Sequence, residues 1–339
     1  MKIVTFGEAM LRLSPPEHYR IVQSASLNMT IAGAEANVAA DLATLGAQAA
    51  YVTKFPASPL GTFAANELRR YGVDISPIVY GGDRIGILFL EKGASQRPSN
   101  VIYDRKNSAI ATAQPTDFDW DEIFDGAGWF HISGITPALG GAMPEISIAA
   151  CKKAKEAGLT VSCDLNYRSK LWSREEAGRV MSGLCRYVDV CIANEEDVKD
   201  VWGMTAPDSD IEHGVLSAEA YGELAKLLCG KFGFKKVAFT LRESINADEN
   251  NWSAVLCDGS AAVSSAKYRI NIVDRVGSGD SFAAGLIYAL SNGYDDRKAV
   301  EFAAALSCLK HTVEGDFALA TLDEVNRLMA GGGNGRVRR

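Results

Sequence analysis

Asp274-Arg275-Val276-Gly277-Ser278-Gly279-Asp280 runs directly into Ser281-Phe282-Ala283-Ala284-Gly285-Leu286-Ile287, a helical stretch of small and apolar residues. Two glycines and an acid therefore stand at a helix N-terminus, where the first amides lack intrahelical acceptors and the helix dipole favours negative charge. Such a turn holds an anion through backbone N–H groups. Asp280 adds a second capacity: a carboxylate placed there can accept a proton from a hydroxyl while neighbouring amides neutralise charge on a transferred phosphoryl group. In isolation the same residues also suit an N-capping Asp after a flexible turn. Gly277-Ser278-Gly279 begins like G-x-G-x-x-G, but Phe282 occupies the sixth position, and no G-x-x-x-x-G-K-[ST] is present. Both facts argue against a dehydrogenase and a P-loop NTPase. A second small-residue element, Ala32-Gly33-Ala34-Glu35-Ala36-Asn37-Val38-Ala39, opens another helix and lets backbone approach a ligand closely, with Asn37 one turn in. Tight helix–sheet packing by Ala and Gly is the plainer account of that segment.

The elements that must position these residues alternate along the chain. Short apolar runs at 3–6, 51–54, 129–132, 160–164, 188–193 and 237–241 read as buried strands. Between them, 35–45, 61–71, 143–157, 174–184 and 218–232 carry apolar residues at helical spacing, and Gly46, Gly72, Gly158 and Gly233 supply stops. The pattern predicts a doubly wound, mostly parallel α/β sheet flanked by helices. Two segments, 11–32 and 84–105, break the rhythm; Ile85-Gly86-Ile87-Leu88-Phe89-Leu90 and Val101-Ile102-Tyr103 look like strands without an intervening helix. They are expected to form a small antiparallel β-sheet, either a lid that excludes water or a dimer surface. The expected organisation is an α/β body from 1–10, 33–83 and 106–330, the β lid, and a flexible tail at 331–339. In an open α/β sheet, ligands bind beyond the strand carboxyl ends, which singles out Gly7-Glu8, Asp164-Asn166-Arg168, Asn194-Glu195-Glu196-Asp197 and Thr240-Arg242.

Composition excludes other classes. The 339 residues are 47% hydrophobic and 23% charged, ordinary for a folded globular chain, and the net charge of -7 opposes binding to a nucleic-acid backbone. The clustered cations lie in the Gly-rich end with Arg336, Arg338 and Arg339, which reads as a frayed terminus. No apolar run is long enough to span a membrane and no signal peptide opens the chain, so a cytoplasmic location without membrane contact is expected. Seven cysteines, never spaced C-x-x-C, read as small core residues, and His18, His131, His213 and His311 are too scattered for a metal helix.

The two glycine-rich elements, in this order, resemble the paired signatures of the ribokinase-like (PfkB-type) carbohydrate kinases. The first matches at Gly33, Asn37, Ala39, Gly46 and Gly61, the second at Asp274, Gly277, Ser278, Gly279, Asp280, Ala284 and Gly285. The resemblance implies a ribokinase-like fold and an ATP-dependent phosphotransfer to an alcohol. Asp280 would be the general base, and the amides of Gly277, Ser278 and Gly279 the anion hole. The family's N-x-x-E element appears as Asn194-Glu195-Glu196-Asp197, with Asp in place of the last Glu. Asn194, Thr240, Arg242, Gly277 and Gly279 would then contact ATP, while Asp197 and Glu196 would act on Mg2+ through water. A K+ requirement is a further question the resemblance raises. Arg275 replaces a usually small residue, and Thr240-Leu241-Arg242-Glu243-Ser244 lacks the T-L-G-x-x-G of many members, so the nucleotide loop differs locally.

Within that family the chain looks most like the 2-keto-3-deoxygluconate kinases, on Gly7-Glu8-Ala9-Met10-Leu11-Arg12-Leu13-Ser14-Pro15, Val101-Ile102-Tyr103-Asp104-Arg105, Asp164-Leu165-Asn166-Tyr167-Arg168 and Lys310-His311-Thr312-Val313-Glu314-Gly315-Asp316-Phe317. An acidic sugar carries a carboxylate, which Arg grips in two places. Arg105 and Arg168 are the expected carboxylate partners, with Gly33, Asn37, Tyr103 and Asn166 completing the substrate site. Arg12, where fructokinases of the family often carry Asp, reverses the charge. Each of the three arginines could equally pair with a nearby carboxylate. The alternatives are a fructokinase or another neutral-sugar kinase of the same fold and, in another class, a non-catalytic sugar sensor. A homodimer through the lid is a family-level expectation.

Overall fold

The computed structural model of the chain describes residues 1–194, 196–207 and 217–332. Glu195, His213 and nearly all of the segment expected to be a flexible tail, residues 333–339, lie outside the described residues.

In chain order the strands are β1 (Lys2–Phe6), β2 (Met10–Ser14), β3 (Asn28–Ala32), β4 (Gln48–Val52), β5 (Lys54–Phe55), β6 (Val79–Tyr80), β7 (Gly86–Glu91), β8 (Asn100–Asp104), β9 (Ala127–Ser133), β10 (Thr160–Asp164), β11 (Val190–Ala193), β12 (Lys236–Ser244), β13 (Glu249–Cys257), β14 (Ala262–Ser264) and β15 (Tyr268–Asn271). The helices are α1 (Ala34–Thr44), α2 (Pro59–Arg70), α3 (Trp120–Ile123), α4 (Met143–Glu156), α5 (Arg174–Leu184), α6 (Asp197–Trp202), α7 (Ala218–Phe232), α8 (Ser278–Ser291), α9 (Asp296–Lys310) and α10 (Leu322–Met329).

The main sheet runs β14-β13-β12-β11-β10-β9-β1-β4, with β15 also on β13. From β4 to β12 every pair is parallel; β13, β14 and β15 add an antiparallel edge. Central strands of such a sheet are covered on both faces and must be apolar throughout, as Val190, Cys191, Ile192 and Ala193 are. One face packs α4, α5 and α7 through Ile146, Val180 and Leu224. The other packs α1, α8 and α9 through Leu42, Phe282 and Phe302. Gly233 ends α7 with φ 77°, a left-handed conformation that only glycine takes up readily.

Three features differ from the sequence reading. The strand expected at 51–54 begins at Gln48, because Ala49 and Ala50, weak strand formers, are buried beside β1 in the cores on opposite faces of the sheet and packing overrides propensity. The edge strands β13 to β15 were not anticipated, since Asn250, Asn251 and Ser253 obscure an alternation that the pairing with β12 imposes. The small second sheet, β3-β2-β7-β8, is mixed rather than antiparallel throughout: β2 and β7 run parallel, Met10 beside Gly86. Its inner face buries Met10, Ala32, Leu88 and Leu90, against which Val276 packs, so this sheet covers the turn before α8. Six cysteines are buried and Cys308 half-buried, and none of the seven is disulfide-bonded.

Candidate active site

The turn before α8 is shaped by close packing. Gly277 caps the helix with φ 84°, and a Cβ there would collide with the Asp316 carbonyl, so both its conformation and its bareness are required. The amides of Gly277, Gly279 and Asp280 have no acceptor among the described residues, and that of Ser278 faces only the Arg275 carbonyl at 3.4 Å. The turn presents N–H groups to a cleft of about 450 Å3. Asp280 lines the same cleft and accepts a 2.6 Å hydrogen bond from Asn37 Nδ2. Burial pushes its pKa up to about 7; the Asn37 bond and Arg168 act against the rise, and the charge of Asp316 adds to it. A carboxyl poised near neutrality beside unpaired amides can take a proton while the amides stabilise a developing anion.

A buried ionic framework holds this turn from below. Arg12 on β2 donates to the carboxylates of both Asp274 and Asp316. Burial opposes its charge, but the two carboxylates outweigh that and raise the guanidinium pKa. Lys310, fully buried, donates to the carbonyls of Asp274 at 3.0 Å and Val313 at 3.2 Å. Asp41 accepts from Ser281 Oγ at 2.5 Å and from the Ala318 amide at 2.7 Å, fastening α8 to the loop after α9. Arg12, considered above for a substrate carboxylate, is thus a 3% exposed cross-link between the second sheet and the turn and does not line the cleft.

At one end of the cleft stand Gly33, Tyr103, Arg105, Asn166 and Arg168. Gly33 leaves room for the backbone of Glu8 and Ala9, which a Cβ would strike. Arg105 donates through Nε to the buried Glu8 carboxylate at 2.7 Å and lies 5.3 Å from the centre of the Tyr103 ring. Arg168 is exposed and donates to the neighbouring Tyr167 carbonyl at 3.0 Å. Asn166 has φ 39°, an uncommon conformation for a non-glycine residue and one that clusters at functional sites. The other half of the cleft holds Asn194, Asp197, Thr240 and Arg242. Asn194 Oδ1 accepts from the amides of Glu196 and Asp197 at 2.8 and 2.9 Å, and Asp197 accepts from those of Tyr167 and Asn194 at 3.0 and 2.9 Å. The structure brings together every residue the sequence proposed except Glu196, which is exposed and lines a neighbouring cavity.

Two kinds of residue were given no role. Asp164, at a strand end and within a segment that carries the family resemblance, is buried in the cleft, and burial followed by the charges of Asp197 and Asp280 raises its pKa well above the usual carboxylate range. Trp252 lies on an unpredicted strand, and Arg275 was noted only as a departure. No cluster of three metal-ligating side chains exists among the described residues. Asp164 and Asp197 line the cleft and their charges repel each other, an arrangement whose chemistry fits a divalent cation brought in with phosphates.

A model of the pfkB family carbohydrate kinases matches residues 1–320. The chain is 39% identical over 336 residues to a 2-dehydro-3-deoxygalactonokinase of Haloferax volcanii, covering 98% of each chain. It is 30% identical over 321 residues to a 2-dehydro-3-deoxygluconokinase of Bacillus subtilis, covering 92% and 90% of the two chains. The crystal structure of a 2-dehydro-3-deoxygluconokinase from Thermotoga maritima superposes with a TM-score of 0.94 at 54% identity, over 98% of each chain. The chain belongs to the pfkB family of carbohydrate kinases. It is a phosphotransferase with an alcohol acceptor, similar to the 2-dehydro-3-deoxygluconokinases, and its small-molecule partners are a sugar and ATP. No helix among the described residues is long and apolar enough to cross a membrane.

Proposed function

We propose that the protein transfers the γ-phosphoryl group of ATP to the terminal hydroxyl of 2-dehydro-3-deoxygluconate, also called 2-keto-3-deoxygluconate. The observation that carries this reading is Asp280: one carboxyl, with a pKa raised to about 7, beside the bare amides of the α8 turn and in one cleft with Arg105 and Arg168. Arg105 and Arg168 hold the sugar carboxylate, with Tyr103 against the carbon chain and Asn166 and the Gly33 backbone fixing its hydroxyls. Asn37 orients Asp280 through its 2.6 Å bond. The terminal hydroxyl oxygen attacks the γ-phosphorus, its proton passes to Asp280, and the bond to the ADP oxygen breaks. The amides of Gly277, Ser278 and Gly279 receive the charge on the transferred group. Asn194, Thr240 and Arg242 line the nucleotide side. Mg2+ bound with ATP neutralises phosphate charge near Asp164 and Asp197.

The second sheet serves as the lid over this cleft, through Leu88 and Val101. Its exposed apolar residues Met29 and Ile102, in one row across the outer face, support a homodimer formed through that sheet.

ADP release measured with 2-dehydro-3-deoxygluconate, its C4 epimer 2-dehydro-3-deoxygalactonate, and fructose tests the substrate. The gluconate is expected to give the highest kcat/KM. Turnover of fructose alone contradicts the reading, and preference for the galactonate corrects the epimer. Arg168→Ala should raise KM for the acid by roughly tenfold or more, the effect of losing a charged hydrogen bond, and leave a neutral sugar nearly unaffected.

A further inference from the structure

Lys310, the last residue of α9, is 0% exposed and does not line the cleft. Its ammonium donates to the carbonyl of Asp274, three residues before Gly277, at 3.0 Å, and to that of Val313, three residues before Asp316, at 3.2 Å. The Asp316 carbonyl in turn packs against Gly277. One cation therefore fastens both backbone segments that frame the α8 turn. The same segments are laced by the His311 carbonyl, which accepts from the amides of Val273 and Asp274 at 2.8 and 3.2 Å. Ser307 Oγ, one turn earlier on α9, donates to the Ser278 carbonyl at 2.7 Å.

A lysine is an expensive way to fill this space, since Leu or Met would occupy it without taking a charge out of water. Burial lowers the Lys310 pKa, the carboxylates of Asp274 and Asp316 act against that fall, Arg12 adds to it and Asp41 opposes it. Arg12 and Lys310 together balance Asp274 and Asp316, so a neutral Lys310 would leave a buried negative charge uncompensated. The group is thus a positive charge held by backbone carbonyl oxygens, the coordination that suits a monovalent cation. A second cation among the same oxygens would be repelled by the ammonium. Fixed beside the turn in a medium of low dielectric, this charge strengthens the attraction of the turn for an anion and requires no rearrangement during reaction.

We propose that the Lys310 ammonium takes the place of a monovalent cation behind the α8 turn, holding the Asp274 and Val313 carbonyls and adding its charge to the anion hole, so that phosphoryl transfer needs no K+. Lys310 is a positioning residue that acts through the backbone at 274–280. The inference rests on the reading that this turn receives the charge of the transferred phosphoryl group.

Steady-state ADP release by the full-length protein tests it, with 2-dehydro-3-deoxygluconate and MgATP in tetramethylammonium chloride, an ion too large for such a cage, and in KCl at equal ionic strength. The wild-type kcat should differ by less than about threefold between the two salts. Lys310→Ala should lose roughly tenfold or more in kcat in tetramethylammonium, and ammonium or K+ should reverse part of that loss by entering the vacated space. Lys310→Met, which fills the space with an uncharged chain, should stay low in every salt. Activation of the wild-type protein by K+ beyond that threefold limit overturns the proposal, and this measurement needs no variant. So does a wild-type kcat for Lys310→Met in tetramethylammonium, or a loss in folded Lys310→Ala that neither ion reduces, because that pattern marks a packing role. Absence of ADP release by the wild-type protein with either sugar acid or fructose, in either salt, removes the reading of the turn itself and the inference with it.

Discussion

At the residue scale, the chemistry depends on environment more than on residue type. Asp280, Asp164 and Asp197 are three carboxyls in one cleft, but they do different things. Asp197 is occupied by two backbone amides, Asp164 is raised by burial and by its acidic neighbours, and Asp280 is held by Asn37 with a pKa pushed up to about 7. A base works only when deprotonated, so kcat/KM should rise with pH through about 7 and level off above it. A pH–rate profile with saturating MgATP checks this. A flat profile from pH 5.5 to 8.5 would remove Asp280 as the titrating group. The acidic limb belongs to the free enzyme, so it should appear in kcat/KM even if product release limits kcat.

At the element scale, the second sheet and the α8 turn are joined by the Arg12 bridge to Asp274 and Asp316, with side chains only 2–3% exposed. Arg12→Met would leave two buried carboxylates without their cation, which costs ~3–5 kcal/mol. Urea unfolding should show that loss; a change under ~1 kcal/mol would mean that water or Lys310 replaces the guanidinium. This bridge also marks the limit of what the sequence discloses. Parallel strands and amphipathic helices were legible because their periodicities are local, and Asp280, Gly277 and Asn37 were legible because a helix start has a recognisable composition. For Arg12 the sequence leaves substrate contact and pairing with a carboxylate equally open, because its partners lie 262 and 304 residues away, a distance that no local pattern spans. Trp252 was missed for a related reason: β13 acquires its strand character from pairing with β12, not from its own Asn-rich sequence.

At the scale of the whole molecule, the cleft is built at the expense of stability. A carboxyl whose pKa is raised in the folded state binds its proton more tightly there than in the unfolded chain. Its contribution therefore falls as pH rises from about 4 to about 7, and above that range the folded state carries the full penalty of the charge. Asp280→Asn removes that charge and should raise the melting temperature at pH 8 by ~3 °C, with a smaller change at pH 5, where the native carboxyl is already protonated. An equal shift at both values would separate the stabilisation from ionisation. The same variant gives the most direct test of the central claim, that Asp280 accepts the proton of the attacking hydroxyl. Its turnover of 2-dehydro-3-deoxygluconate should fall by about 10²–10⁴-fold while MgATP affinity stays within a few-fold of wild type. A turnover number within tenfold of the wild-type value would contradict the account.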